Sequence, residues 1–245
     1  KGDKFKKRLL EVLNAVLKTE QIRKTSFTPT MTARLAMAAR PATTRPAVNN
    51  VKGHNKIVAL ACSTGGPKAL QSVIPFLPKN LDAPMVLVQH MPAGFTNEFA
   101  QSLNRICPLE VVEASDEMPI ENGHIYIAPG NYHIKVEERF CGNVIRTTQE
   151  EHRNGHRPSA DVLFESVAKI YKNNALGVIM TGMGKDGAVE ITEMRKQGAY
   201  TLGQDEKTAV VYGMPRVAWE MGGVQKQVPL MEMADEISKL AREHL

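Results

Sequence analysis

A serine, a histidine and an aspartate are the residues of this chain whose types and placement could do chemistry together. Ser63 and His90 lie just beyond the ends of two apolar runs, and Asp186 lies in the glycine-rich loop that follows a third. A serine hydroxyl is a poor nucleophile until a base removes its proton, and that base must be held in one tautomer by a third group. The trio therefore predicts acyl transfer, with Ser63 as nucleophile, His90 as base and Asp186 as the group that orients the base.

The turn that carries Ser63 has alternative interpretations. Small residues follow the serine, and Pro67 suits the first turn of a helix. The match to the hydrolase elbow G-x-S-x-G is partial, because Gly65 fills the second glycine position but Ala61 stands in the first. A phosphate-binding turn and a tight turn with a capping serine are both compatible with it, although Lys68 does not have Walker spacing. A non-catalytic adaptor with the same fold is a further alternative, against which the intact trio argues.

His90 is one of seven histidines, and its position separates it from the others. It directly follows a strand-like run, whereas the rest are assigned to a linker, a terminus, an antiparallel section or a polar loop: His54, His244, His124, His133, His152 and His156. A histidine satisfied by local backbone groups is the plain alternative. For Asp186 the plain alternative is a helix N-cap, a role that aspartate serves well.

The elements that must position these residues alternate along the chain. Apolar runs predict strands, and amphipathic stretches between them predict helices, the last opened by Ser159 as a cap. Alternation of this kind is typical of an α/β fold, and we expect a doubly wound, mainly parallel central sheet flanked by helices. The carboxyl ends of its strands would share one rim. The predicted strands are 57–61, 85–89, 109–113 and 175–180, and the predicted helices are 67–77, 96–106 and 159–171.

A middle section, residues 118–149, differs from this alternation. It contains short runs separated by Gly, Pro and Asn, which predict a small antiparallel hairpin section. The predicted strands there are 124–128, 132–136 and 144–147.

Charge and cysteine content restrict the function classes. Residues 1–54 hold 12 Lys and Arg against three acids, a net charge of +9, whereas the remainder carries −4. The folded part therefore lacks the excess of positive charge that nucleic-acid binding requires. Three widely spaced cysteines without a CxxC pair suggest neither a metal site nor a disulfide framework. No apolar run approaches about 20 residues, so we expect a cytoplasmic protein without membrane insertion.

The N-terminal quarter of the chain predicts two further segments. Residues 1–20 form a basic amphipathic pattern, which suits the last helix of a preceding domain; a membrane surface or a partner groove is the alternative. Residues 21–54 contain no acid and one aromatic residue, as expected for a flexible linker. The folded domain is then expected over residues 55–245.

Several motifs in this order resemble those of the chemotaxis receptor methylesterases, the CheB proteins. The resemblance spans residue 55 to about residue 221, and Ala61 and Ala160 depart from residues common in the family. The matching stretches are Ser63-Thr64-Gly65-Gly66-Pro67, Gln89-His90-Met91-Pro92, Ile127-Ala128-Pro129-Gly130, Arg157-Pro158-Ser159, Asp161-Val162-Leu163-Phe164, Thr181-Gly182-Met183-Gly184-Lys185-Asp186-Gly187 and Tyr212-Gly213-Met214-Pro215.

The resemblance places the catalytic roles on the same three residues, Ser63, His90 and Asp186. It implies hydrolysis of glutamate methyl esters on chemoreceptors, with release of methanol, and deamidation of certain receptor glutamines. Both reactions pass through an oxyanion, which we expect the backbone amides of Thr64 and Met183 to bind. No metal or organic cofactor is implied.

The resemblance also implies partners. They are the methyl-accepting chemoreceptors, an N-terminal receiver domain of the same protein and, through that domain, a chemotaxis histidine kinase. Residues 1–20 would be the receiver domain's last helix, and residues 21–54 the linker between the domains. The receiver domain would cover the active-site entrance until it is phosphorylated, so a chain without it should not respond to phosphorylation.

Overall fold

A computed structural model describes residues 56–243 of the chain. The predicted helix over 1–20 and the predicted linker over 21–54 lie outside the described residues.

Seven parallel strands form the central sheet, in which the five inner strands are mostly apolar and almost wholly buried while the two edge strands are partly exposed. The sheet has the spatial order β10-β9-β8-β1-β2-β5-β3, and each neighbouring pair is parallel. Its strands are β1 Ile57–Cys62, β2 Met85–Gln89, β3 Glu110–Glu113, β5 His124–Ile127, β8 Ala175–Ile179, β9 Tyr200–Gln204 and β10 Lys226–Val228.

Six α-helices cover the two faces of this sheet. They are α1 Gly66–Val73, α2 Thr96–Asn104, α3 Ala160–Tyr171, α4 Ala188–Lys196, α5 Met214–Glu220 and α6 Met233–Glu243. Short 3₁₀ turns occupy Ile74–Phe76, Lys172–Asn174 and Leu230–Glu232. In residues 56–243 no helix has the length and apolar character needed to cross a membrane.

The core has two layers because successive strand side chains point to opposite faces. From β1, Val58 and Leu60 enter the layer that contains side chains of α1, α2 and α6. Ile57 and Ala59 enter the other layer, which contains side chains of α3, α4 and α5. This arrangement confirms the predicted doubly wound α/β fold.

The middle section is antiparallel only in part. Strands β4 Met118–Pro119, β6 His133–Arg139 and β7 Gly142–Thr148 form a separate antiparallel sheet, as predicted for this section. The prediction that residues 124–128 belong to it was wrong, because β5 lies in the main sheet, parallel to both β2 and β3. Its last three residues are buried, as in the other central strands, and a strand with no exposed face is typical of a parallel sheet.

Candidate active site

Ser63 and His90 lie side by side at the carboxyl edge of the sheet. Cys62 and Gln89 are partners in the β1–β2 register, so Ser63 and His90 are the next residues on two neighbouring strands. The backbone N–H of His90 still donates to the carbonyl of Cys62 at 3.2 Å. Neighbouring strands run about 4.8 Å apart, which keeps the two residues close.

Asp186 reaches this edge from the other side of β1. Strand β8 pairs with β1 and leads into the glycine-rich loop that ends at Asp186. The chain crosses from β1 to β2 on one side and later returns to β8 on the other, so β1 and β8 flank the point where the strand order reverses. Open α/β sheets place their binding crevice at such a point.

A buried hydrogen bond joins His90 to Asp186. The Nε2 atom of His90 lies 2.8 Å from Oδ2 of Asp186, with 8% of the His90 side chain and none of the Asp186 side chain exposed. An ionised carboxylate only accepts hydrogen bonds, so the ring must carry its proton on Nε2. The other nitrogen, Nδ1, then holds the lone pair and can act as a base.

Among residues 56–243, Nδ1 of His90 is buried and no group hydrogen bonds to it, the hydroxyl of Ser63 included. The structure thus joins His90 to Asp186 and brings Ser63 beside His90, but it does not hydrogen bond the serine hydroxyl to the ring. Hydrogen bonds of this kind are often long in unliganded sites and shorten when substrate binds.

The carboxylate of Asp186 accepts hydrogen bonds from four directions besides His90. The donors are Ser159 Oγ at 2.6 Å, Asn154 Nδ2 at 2.8 Å, the Ala160 amide at 2.6 Å and the Asp161 amide at 3.5 Å. Burial by itself raises the pKa of Asp186, but the hydrogen bonds to the charged form outweigh it and lower that pKa to about 2. Asp186 is therefore ionised throughout the neutral range.

Ser159 and Asp186 both differ from the simple capping roles that their residue types suggest. Ser159 occupies the N-cap position of α3, but its hydroxyl makes no capping bond and donates to Asp186 instead. Asp186 does not cap the helix that follows it, because Gly187 is the N-cap of α4. Its carboxylate instead accepts the first amides of α3, so it caps a helix that precedes it in the chain by more than 20 residues. The favourable dipole at that helix end adds to the stabilisation of its charge.

His156 is a site residue that the sequence interpretation missed. Its ring stacks on that of His90 with the centroids 3.9 Å apart and the planes 14° apart. Burial and the neighbouring His90 lower the pKa of His156, which favours its neutral form. The polar residues around His156 did not indicate that its ring packs against another side chain. The motif Arg157-Pro158-Ser159 immediately after it was the one signal in the sequence that could have pointed to this position.

Gln89 ties the serine loop to the histidine loop. Its buried side-chain amide donates to the carbonyls of Ser63 at 3.2 Å and His90 at 2.9 Å. Its Oε1 lies 3.1 Å from Sγ of Cys62. Because Gln89 satisfies both carbonyls from inside the protein, it fixes the backbone of both loops where the two side chains leave the sheet.

The residues expected to bind an oxyanion lie at the rim of the site. Thr64 is exposed, and Met183 has 71% of its surface exposed. Within residues 56–243 the backbone N–H groups of Thr64 and Met183 donate to no backbone carbonyl. The N–H groups of Ser63 and Gly66 do donate to carbonyls of the protein. The two internal bonds also weaken the alternative of a phosphate cradle, because they leave fewer amides of this turn for an anion.

A metal ion does not suit the arrangement. His90, His156 and Asp186 place donor atoms within 4.8 Å of one another, and they are a combination that zinc often binds. Imidazole lone pairs lie in the ring plane, however, and the two rings are nearly parallel at 3.9 Å, so their lone pairs cannot converge on one ion. Asp186 is already surrounded by hydrogen-bond donors. The geometry favours proton transfer.

A doubly wound parallel sheet with a buried His–Asp pair beside a serine at its switch point defines an α/β protein with an acid–base site. The family model described as CheB methylesterase matches residues 58–237, so the chain belongs to the CheB methylesterase family. This finding confirms the resemblance seen in the sequence.

Individual relatives agree with this assignment. The protein-glutamate methylesterase/protein-glutamine glutaminase of Treponema denticola is 54% identical over 199 residues, covering 81% of this chain and 54% of the relative. The protein of that name from Agrobacterium fabrum is 48% identical over 194 residues, covering 79% and 55%. The chain thus spans about half the length of the curated relatives it matches.

A solved structure shares the fold. The crystal structure of the Thermotoga maritima CheB methylesterase catalytic domain matches with a TM-score of 0.75 and 37% sequence identity. The match covers 78% of this chain and all of that one.

Proposed function

We propose that the domain described here is a serine esterase that hydrolyses glutamate methyl esters on chemoreceptors and deamidates certain receptor glutamines. The observation that carries the proposal is the His90–Asp186 hydrogen bond, which leaves a buried, unpartnered Nδ1 on the imidazole beside Ser63. The names of the relatives support the choice of substrate.

The reaction proceeds in two halves. Ser63 Oγ attacks the ester carbonyl carbon while His90 Nδ1 takes the hydroxyl proton. Asp186 stabilises the imidazolium that results, and the amides of Thr64 and Met183 stabilise the oxyanion. When the tetrahedral intermediate collapses, the imidazolium returns its proton to the methoxy oxygen, and methanol leaves.

A water molecule then repeats the sequence on the acyl-enzyme, with His90 again acting as base, and releases the glutamate carboxylate together with free Ser63. For a glutamine side chain the leaving group is ammonia. The two substrates differ in the leaving group of the first tetrahedral intermediate but give the same acyl-enzyme, so one site serves both reactions. No metal or organic cofactor takes part in these steps.

The proposed partners are the methyl-accepting chemoreceptors, a receiver domain of the same protein and a chemotaxis histidine kinase. The proposed location is the cytoplasm. The proposed organisation is a catalytic domain over residues 55–245, preceded by a linker over 21–54 and by the receiver domain's last helix over 1–20. Nucleic acid and membrane insertion have no part in the proposal.

Methanol release from methylated receptor membranes tests the assignment. Ser63→Ala should reduce kcat/KM by more than about 10⁴-fold, because the nucleophile is lost. Ser115→Ala is the matched control, since Ser115 is exposed beyond the edge strand β3, three strands away from β1, and should behave like wild type. A Ser63→Ala protein that still releases methanol at the wild-type rate would sink the proposal.

A further inference from the structure

Asn154 lies between two buried carboxylates. Its Nδ2 atom is 2.8 Å from Oδ1 of Asp186 and 2.5 Å from Oδ2 of Asp161. A side-chain amide has two N–H groups, so one can donate to each carboxylate. The opposite amide orientation would place the asparagine oxygen against oxygens that only accept, and it is therefore disfavoured.

The second carboxylate has no role in the reaction described above. Asp161 is 2% exposed, and its other oxygen accepts the backbone N–H of Glu190 at 3.1 Å. Burial raises the pKa of Asp161, and the charge of Asp186 raises it further. Two buried carboxylates this close repel each other unless a donor lies between them, and Asn154 supplies that donor.

Asn154 also holds the histidine that stacks on the base. Nδ1–H of His156 donates to the backbone carbonyl of Asn154 at 2.8 Å, and the His156 ring covers His90. The residue before Asn154 is also held in place, because Arg153 forms ion pairs with Glu165 and, at 2.6 Å, with Glu190. One short segment therefore reaches both members of the His90–Asp186 pair.

We propose that Asn154 is a positioning residue for the reaction: its side-chain amide, anchored on Asp161, sets the orientation in which Asp186 receives the His90 ring. The inference rests on the proposed function for its kinetic meaning. The hydrogen bonds of Asn154 within residues 56–243 go to Asp161, Asp186 and His156 and not to Ser63 or His90, so its effect passes through Asp186 and His156.

Two substitutions separate the donor from the shape of the segment. Asn154 has a positive φ of 55°, a conformation that Asp and Gly tolerate better than most residues. Asn154→Asp keeps the size but replaces the donor with a third carboxylate. Asn154→Gly keeps the backbone conformation but removes the amide.

We expect Asn154→Asp to move the acid limb of the kcat/KM profile about one pH unit higher, because added negative charge stabilises the protonated, inactive imidazolium. Asn154→Gly should lower kcat about tenfold, with KM changed less than about twofold, because an orienting bond to a charged group is lost. The charged and titratable groups around this position are Asp161, Asp186, His90, His156, His152, Arg153, Glu165 and Glu190.

Asn173→Asp is the matched control, since it makes the same chemical change at an exposed position near the opposite edge of the sheet. Its pH profile should superimpose on that of wild type. The histidine ring NMR signals of wild type and Asn154→Asp, titrated in parallel, report the same shift without turnover.

The outcomes distinguish the two proposals. If wild type releases no methanol, the proposed function fails, and the ring titration alone decides the role of Asn154. If Asn154→Asp titrates like wild type, or if it does not fold and Asn154→Gly keeps full kcat, the positioning role is overturned while the esterase assignment stands.

Discussion

At the scale of single residues, the proposed reaction requires the imidazole of His90 to act in a definite orientation. Nε2 is bound by Asp186 and Nδ1 is left for the serine. Nδ1 is the ring nitrogen nearer the residue's own backbone, so its proton donor must lie close to the strand that carries His90. Ser63 meets this requirement. It directly follows the last residue of β1, and His90 directly follows the last residue of the neighbouring strand β2.

The ionisation of Asp186 should contribute to stability in a pH-dependent way. The pKa of Asp186 is about 2 in the folded protein, against about 3.9 in an unfolded chain. A lowered folded-state pKa means that the stabilisation is complete above about pH 4 and is lost as the pH falls through about 2. The difference corresponds to roughly 2 to 3 kcal/mol in the free energy of unfolding.

Urea unfolding of wild type and Asp186→Asn between pH 2 and pH 6 measures this contribution. Wild type should be the more stable protein at pH 5, and its advantage should shrink by about 2 kcal/mol on going to pH 2. Asparagine does not titrate, so the variant reports the pH dependence of all other groups. Two parallel curves would contradict the hydrogen-bonded environment assigned to this carboxylate.

At the scale of elements, the site depends on how α1 begins. Gly66 starts that helix directly over Gln89, and a Cβ added to Gly66 would lie 2.0 Å from Oε1 of Gln89 and 3.0 Å from Sγ of Cys62. Gln89 is the residue that fixes the carbonyls of Ser63 and His90. The absence of a side chain at Gly66 is therefore what lets Gln89 join the two loops.

Gly66→Ala should reduce kcat/KM by about 10- to 100-fold while the protein remains folded, because small displacements of reacting groups are costly. Overpacking of this kind destabilises by about 1–3 kcal/mol. Methanol release and a urea unfolding curve give the two quantities. Gly123→Ala is the control: its φ is +84°, but no atom of the described residues lies within 4 Å of the added Cβ, so we expect some loss of stability and unchanged activity. Equal activity losses in both variants would refute the role given to Gln89.

The same scale shows what sequence patterns can predict. Buried apolar runs located β1, β2 and β8, and the residues at their ends include Ser63, His90 and the start of the Asp186 loop. Ser63, His90 and Asp186 could be predicted together because parallel strands share a carboxyl edge. Strand β5 was misassigned because four residues between turn-forming segments carry no record of whether their neighbours are parallel or antiparallel.

The remaining site residues could not be predicted for a related reason. His156 and Asn154 lie in a polar loop, where the pattern of apolar residues gives no information on burial or contacts. Ser159 looked like a cap because its type and position suit one, yet a buried carboxylate from a distant loop competes successfully for its hydroxyl. Such pairings depend on long-range packing, which a single sequence does not display.

At the scale of the whole molecule, the sheet and the helices of residues 56–243 build a core of two layers. Both layers draw their buried side chains from the sheet and from the six helices that follow β1. Hydrophobic burial is the main stabilising contribution in a folded domain, so the described residues hold the contacts that such a domain needs. The active-site residues also fall within this range.

A chain that begins at residue 55 should therefore match the 245-residue chain in both stability and activity. We expect the Tm to change by less than about 2 °C, because no described core contact is removed, and 1 kcal/mol corresponds to about 2–4 °C in a domain of this size. The value of kcat/KM on methylated receptor should agree within about twofold. A clear fall in Tm would show that the basic N-terminal segment packs on the domain. That result would move the proposed domain boundary toward the N-terminus. A rise in activity at constant Tm would show instead that the segment obstructs the site, and would add an inhibitory role to residues 1–54.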